Sequence, residues 1–292
     1  MYFKITNQEE CHHGYQYQTG LNILDRPFEK EGSCVKGGLY FTNLEYLHEF
    51  YEYGVWIRVI TIPEDAEMVM DSVGHKWRAN KIILGAKYPL FDVETILKFD
   101  LKINPGYIDR ACGAGCDVNV LEWWKNSGFE LNYSESAINW ASNSGHVEVL
   151  EWWKNSGLEL KYNNAINYAS ENGHVKVLEW WLKANKETGL KLKYSHEAIN
   201  YASKNNHVDI LEWWLEAHKS TGLELRYTSF AIDRACENGH PNVLKWWIKF
   251  QHESDLKIYF TSYAMRWTPI KNREDVRKLL NILRAEEEIK EN

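Results

Sequence analysis

Side chains that could do chemistry recur at intervals along this 292-residue chain. Asp109, Asn139, Asn167, Asn200 and Asp233 form one series, and His146, His174, His207 and His240 form another. Paired carboxylates would point to acid–base catalysis and clustered histidines to a metal. One such residue per interval spreads these groups along a structure instead of gathering them at a point. The Asn/Asp series is therefore expected to hydrogen-bond neighbouring backbone, and the histidines to open helices and touch the adjoining repeat. Cys112 and Cys116 tempt a metal reading, yet Cys112 stands where Ser142 and Cys236 stand, and Cys116 where His146 stands. Cys11-His12-His13 has no second ligand pair at zinc-like spacing. No nucleophile triad, phosphate loop, zinc-hydrolase or dinucleotide motif occurs. No catalytic, cofactor or metal site is expected.

The elements that carry these series announce themselves. Leu121-Glu122-Trp123-Trp124 recurs at Leu150, Leu178, Leu211 and, with lysine for glutamate, at Leu244, giving leucine spacings of 29, 28, 33 and 33. Such a period is the mark of stacked repeats. Before each signature lies a second block apolar at helical spacing, as in Ala137, Ile138 and Ala141 or Ala198, Ile199 and Ala202. Ser134, Asn163, Ser195, Thr228 and Thr261 precede those blocks as capping residues, and Gly145, Gly173 and Gly239 separate the two helices. Each repeat thus reads as helix A, small and alanine-rich, against a bulky helix B, and neither could bury its face alone. Adjacent tryptophans point about 100° apart on a helix. One can pack within its own pair while the other meets a neighbouring repeat, so the ten tryptophans are expected to form core.

Ala137 to Gly157, with its Gly-His-x-x-Val-Leu core, resembles the ankyrin repeat over about residues 95–285, in the degenerate style of giant-virus proteins. The family's Thr-Pro-Leu-His start is absent, and Asn139, Asn167 and Asn200 occupy the place of its first histidine. The loop from Gly157 to Ala165 is about four residues shorter than the roughly 33-residue family repeat allows, which removes part of the projecting β-hairpin finger. Leu182–Gly189 and Leu215–Gly222 instead lengthen helix B by about one turn. The resemblance implies an α-solenoid of ankyrin-like helix pairs whose contact with a partner does not run through finger tips.

Residues 1–90 do not repeat. Tyr2–Thr6, Gly38–Thr42 and Val55–Ile62 read as strands and Leu44–Tyr51 as a helix, making a small α+β domain of unknown role before a repeat region at 91–292. Lys76, Arg78 and Lys81 are expected on a solvated strand face, with a phosphate or acidic-peptide contact as the alternative. Gly38-Leu39-Tyr40-Phe41-Thr42 looks like an element of poly(ADP-ribose) polymerase-like transferases. In those proteins this tyrosine stacks on nicotinamide and an earlier strand carries a histidine, where Lys4 stands here. Val93–Lys98 reads as a lone helix covering the open end of the stack, so that no flexible linker intervenes. At the other end Leu279-Leu280 replaces Trp-Trp and Arg277 replaces an apolar position, as a terminal cap requires. Arg284–Asn292 is charged and reads as a fraying helix and tail.

Composition narrows the partner. Lys+Arg 34 against Asp+Glu 41 gives a net charge of −7, and no basic stripe runs along one face, so nucleic acid is not expected. No apolar run reaches the ~18–20 residues that span a membrane. Met1–Thr6 resembles neither a secretion nor a transit signal. Five cysteines, an odd number, suit reduced thiols, and the expected location is cytoplasmic, or a host cytoplasm or virion if the protein is viral. The position after the Asn/Asp series holds Arg110, Trp140, Tyr168, Tyr201, Arg234 and Trp267 on helix A, joined by Asn143, Glu171, Lys204 and Glu237 near the helix end. Aromatic residues and arginine carry most interface energy, so these are the candidate contacts for a protein partner, a host protein if the chain is viral. Packing between repeats is the competing role for the aromatics, whereas Arg110 and Arg234 are expected to face solvent. The chain reads as a non-enzymatic protein-interaction scaffold, with an ADP-ribosyltransferase-like amino-terminal domain targeted by the repeats as the alternative.

Overall fold

The computed structural model describes residues 1–253, 257–266, 269 and 273–291. It divides into two compact units, Met1–Tyr133 and Ser134–Asn292.

The first unit is built on a seven-stranded antiparallel sheet. In chain order its strands are β1 (Tyr2–Thr6), β4 (Gly20–Ile23), β5 (Leu39–Asn43), β6 (Trp56–Thr61), β7 (Met68–Met70), β8 (Trp77–Ala79) and β9 (Lys81–Pro89). They lie side by side as β4-β9-β6-β1-β5-β8-β7, and β2 (Cys11–His12) with β3 (Tyr15–Gln16) makes a separate ribbon. The three expected strands are present within a residue or two. The expected helix is a 3-10 turn displaced to Leu47–Tyr53. One sheet face meets helix α1 (Val93–Phe99), where Phe3 stands edge-on to Phe99 at 5.3 Å. Asp92 caps α1 by accepting the Thr95 N–H at 2.9 Å. Tyr17, Leu39, Phe41, Ile60 and Ile82 form a second core.

No loose linker separates the sheet from the helix pair α2 (Pro105–Gly113) and α3 (Val118–Asn126). The buried Tyr107 on α2 donates its hydroxyl to Leu90 O at 2.7 Å and stands edge-on to Tyr51 and Phe91. Lys102 Nζ donates to Glu45 O and Asn104 Nδ2 to His48 O.

Arg78 corrects the expected solvated basic face. It is fully buried and paired with Asp71 at 3.0 Å, while its other guanidinium nitrogens donate to Glu29 O and Glu31 O. A buried guanidinium is tolerable only with its fork filled, and here the two carbonyl partners come from the loop that precedes β5 while Asp71 directly follows β7. Lys81 does face outward, against Asp65.

The second unit alternates helices A and B. The A helices are α4 (Ser136–Asn143), α6 (Ala165–Glu171), α8 (Glu197–Lys204), α10 (Phe230–Glu237) and α12 (Tyr263–Arg266). The B helices are α5 (Val147–Asn155), α7 (Val175–Thr188), α9 (Val208–Thr221), α11 (Pro241–Glu253) and α13 (Arg273–Glu291). Each A helix touches the next A and each B the next B, in chain order. Among the described residues no strand follows Pro89, so the repeats carry no β-hairpin finger. Helix B grows from 9 residues in α5 to 14 in α7 and α9. Gly189 and Gly222 end the longer helices at φ of 72° and 74°, a left-handed cap that suits glycine.

The second tryptophan of each pair is core: Trp153, Trp181, Trp214 and Trp247 are at most 1% exposed. Its partner stands nearly perpendicular, centroids 5.0 to 5.2 Å apart at 82° to 87°, the edge-to-face geometry aromatic quadrupoles favour. Tyr162, Tyr194 and Tyr227 pack on Trp181, Trp214 and Trp247 at 4.7 to 4.9 Å. In α13 Val276 and Leu280 are buried and Arg277 is exposed, giving the last helix one apolar and one polar side.

Candidate functional site

Two places in the chain combine shape with reactive or recognising side chains. The first is the run of A helices in the second unit.

The Asn/Asp series works there as a set of staples. Asn139 Oδ1 accepts the N–H groups of Asn163 and Asn164, and its amide donates to Asn163 Oδ1 at 2.6 Å. Asn167 Oδ1 accepts from Ser195 N while its amide donates to Ser195 Oγ and Glu197 Oε2. Asn200 repeats this with Thr228 N and Thr228 Oγ1. Asp233, which has no donor, accepts from both Thr261 N and Thr261 Oγ1 at 2.8 Å. The expected capping residues serve twice: Ser195, Thr228 and Thr261 meet the series and also accept the N–H two residues on, at 3.1 to 3.3 Å. The carboxylate and amides are thus consumed in joining one repeat to the next.

At the other end of helix A a second series connects neighbours. Asn172 Nδ2 donates to Asn143 Oδ1, Asn205 Nδ2 to Glu171 O and Asn238 Nδ2 to Lys204 O. His174 Nε2 lies 2.9 Å from Asn143 O, and its ring covers Gly145, where a Cβ would come within 2.8 Å of Nδ1. Glycine is required there by both that contact and its φ of 85°.

The candidate contact residues fall beside these staples. Trp140 is 37% exposed, Tyr168 and Tyr201 are half-buried, and Tyr201 stands edge-on to Phe230 at 5.8 Å. Lys204 Nζ lies 5.4 Å from the centre of the Tyr201 ring. Arg234, expected to face solvent, is half-buried between the rings of Phe230 and Tyr263, at 4.8 and 5.1 Å, and is paired with Glu237. Arg110, in the first unit, is likewise half-buried, 3.6 Å from Glu52. Arginine's long stem covers apolar surface while its head finds acceptors, which explains both differences. Asn143, Glu171 and Lys204 contribute backbone or side-chain acceptors to the second series, as above. Trp267 lies outside the described residues.

The second place is a cavity of about 380 Å³ in the first unit. Its origin is a gap in the sheet. β1 and β5 share only the register pairs Tyr2↔Asn43 and Phe3↔Thr42. Beyond Phe3 the strands part, and Lys4 Nζ donates to Tyr40 O at 2.9 Å where a backbone N–H would otherwise serve. Lys4, Tyr17, Tyr40, Phe50 and Tyr53 line the space. Lys4 is 8% exposed, and burial holds its amine down at about 7. Its ammonium also lies 4.4 Å from the centre of the Tyr17 ring. Burial and the neighbouring Lys4 and His13 hold His12, also on the wall, at about 4.

Cys34 sits at the cavity wall with a φ of 54°, unusual for a side-chain-bearing residue. The buried Asp71 fixes it by accepting from Cys34 N at 3.2 Å and Ser33 Oγ at 2.5 Å. Lys76 Nζ donates to its sulfur at 2.9 Å and, with Ser33, draws the thiol below its ordinary value. Sequence reasoning reached Tyr40 but gave Lys4 only a substituted role and passed over Tyr17 and Cys34. A lysine inside the run Tyr2-Phe3-Lys4-Ile5 was the available signal, since a charge among inward-facing strand positions needs a reason.

Comparison with known proteins supplies kinship. An ankyrin repeat protein of Acanthamoeba polyphaga mimivirus is 39% identical over 153 residues, covering 51% of this chain and 63% of the relative. A second mimivirus protein, without an assigned role, is 42% identical over 100 residues, covering 32% of this chain and 72% of its own length. A third, also an ankyrin repeat protein, is 34% identical over 148 residues, 44% of each. The chain therefore spans less than two thirds of both of those ankyrin repeat relatives. No family model matches. Among solved structures, the human ASB11 ankyrin repeat domain aligns with 64% of this chain and 91% of that one, at 15% identity and a TM-score of 0.43, too loose a likeness to build on.

Proposed function

We infer that this protein, a degenerate ankyrin repeat protein related to those of mimivirus, is a non-enzymatic scaffold that holds a protein partner on the A-helix side of an α-solenoid. One observation carries the reading. In successive A helices the residue after the Asn/Asp staple keeps part of its surface open, and there the chain places Trp140, Tyr168, Tyr201 and Arg234. The staples take up the polar groups beside them, so the contact positions stand on a stiff base, which lowers the ordering cost of association. Asn143, Glu171, Lys204 and Glu237 would form the polar rim, and Arg110 holds the equivalent sequence position in the first unit. In this reading residues 1–90 are a module distinct from the repeats of 91–292. Neither nucleic acid nor membrane is the partner, and the site of action is a cytoplasm or a virus particle. Among the described residues no helix is long and apolar enough to cross a membrane.

The test is capture from the native host with wild-type protein and with Trp140→Ala, Tyr201→Ala and Arg234→Ala combined. A specific partner should be retained by the first and weakened at least about 30-fold for the second, the scale of a hot spot of about 2 kcal/mol. Retention of that partner by the folded triple variant would remove the reading. The transferase alternative draws on Tyr40 and Lys4 lining one cavity, but Lys76 Nζ already stands 5.4 Å from the Tyr40 ring centre. A cationic nicotinamide would meet that charge. Saturable NAD binding abolished by Tyr40→Ala would favour the transferase over the scaffold.

A further inference from the structure

The cavity between β1 and β5 has a chemistry independent of the repeats. Four cationic side chains line it, Lys4, Arg26, Lys36 and Lys76, and not one carboxylate does, in a chain whose net charge is −7. Two of the four are engaged, Arg26 by Asp25 at 2.7 Å and Lys76 by the Cys34 sulfur. Lys4 is different. Among the described residues its amine has one hydrogen-bond acceptor, Tyr40 O, although an ammonium offers three donors. It is more than nine-tenths buried, and a buried charge without a counter-ion is costly. An unsatisfied amine on the wall of an open cavity is complementary to an anion. The rest of the lining is mostly aromatic and aliphatic, with Tyr15, Tyr17, Phe50 and Tyr53 among it. Such walls favour a planar ring, because ring stacking adds to area burial. The volume of about 380 Å³ lies at the lower end of ordinary small-molecule sites, about 300–1,000 Å³.

We propose that this cavity binds a small aromatic anion no larger than a mononucleotide, its ring held by the tyrosines and Phe50 and its anionic group received by Lys4 Nζ. The walls are already in place. Asp71 and Arg78, buried together, fix the 29–34 segment that carries Cys34, and Gly38 presses so closely on Arg78 that a Cβ would fall 2.6 Å from Arg78 Cδ. That segment is therefore held by a buried pair and has little freedom to fill the space.

The experiment is calorimetric titration of the full chain with adenosine monophosphate, adenosine, inorganic phosphate and 4-hydroxybenzoate. The proposal expects saturable binding of the monophosphate or of the benzoate, which separates a phosphate from a carboxylate source. It also expects adenosine and phosphate, each lacking one half of the ligand, to bind at least tenfold more weakly. Lys4→Met should weaken the preferred ligand at least tenfold with the near-ultraviolet circular dichroism unchanged, and Phe50→Ala should weaken it as well. If Lys4→Met does not fold, competitive amine labelling of the wild type with peptide mapping replaces it: the ligand should shield Lys4 and leave surface lysines reactive. Absence of binding by both aromatic anions overturns the proposal. So does full affinity in a folded Lys4→Met variant, or undiminished labelling of Lys4 under saturating ligand.

Discussion

The two units treat buried polarity in opposite ways. In the repeats, a polar group buried on one A helix meets its partner 24 to 30 residues later, and the arrangement is made again in the next repeat. In the sheet unit each buried polar group is a single event: Arg78 with Asp71, Arg58 with Glu10 at 3.3 Å, and Lys4 with little more than a carbonyl. Repetition satisfies polar atoms cheaply, since one local solution is copied. Irregular burial is costly and persists where something else depends on it. The repeats are therefore the place to look for a surface, and the sheet unit for a site.

The comparison can be broken at its strongest point on each side. Trp214→Ala should remove about 3–5 kcal/mol from the second unit, the range for a large buried aromatic, and leave Ser170 Oγ without its indole donor. Urea unfolding followed by tryptophan fluorescence measures this, and a loss below 1 kcal/mol would mean that the indoles are not the core of the row. Arg78→Met should cost about 3–5 kcal/mol in the first unit by stranding the Asp71 carboxylate. Limited proteolysis should then cut within residues 26–38, a region held by Arg78 and Asp71 in the wild type.

A smaller effect is read through pH. The folded amine of Lys4 sits at about 7, against 10.5 for the ordinary side chain. Between those values the unfolded chain binds more protons than the folded one, so stability must rise with pH across that window. Below about 7 both states are protonated and the penalty is constant. The slope contributed is at most about 1.4 kcal/mol per pH unit. The groups near the amine are Tyr17 and Tyr40, whose hydroxyls burial pushes upward, and His12, which is neutral throughout that window. Arg58 on β6 lies opposite Lys4 in the register. Lys4→Met should abolish the slope and stabilise the unit near neutrality, as thermal melts at pH 7 and 9 would reveal. An unchanged slope would place its origin in another group.

The smallest effect is the most discriminating. Asn200→Asp should change stability by less than about 1 kcal/mol, because Asp233 already makes the equivalent pair of contacts with Thr261 by accepting both. Asn167→Asp should cost more, since its amide faces Glu197 Oε2 at 3.1 Å and a carboxylate there would repel it. Equal losses in the two variants, measured by the same denaturation, would mean that the staples do not follow hydrogen-bond chemistry.

The repeats were legible because their information is redundant. Five Trp-Trp steps, alanines at helical spacing and glycines between helices locate the helix pairs without reference to anything distant. The staples were half legible: their residue type named the hydrogen-bonding role, whereas the partner, some 28 residues on, emerges only once the repeats are packed. Arg234 was misjudged because Phe230 and Tyr263 reach it from its own helix and the next. In the sheet unit β1, β5 and β6 could be read from their β-branched and aromatic runs. The cavity could not. It depends on β1 and β5 ceasing to pair after Phe3, a property of strand direction that neither strand's composition records.

The indole donors carry one further consequence. Trp181, Trp214 and Trp247 each give their N–H to a serine in the A helix of the preceding repeat, Ser142, Ser170 and Ser203. These bonds all point toward the amino terminus, so the row has a polarity. Shortening it from the carboxyl end frees only hydroxyls, which water can serve. Shortening it from the other end leaves an indole N–H without its serine acceptor.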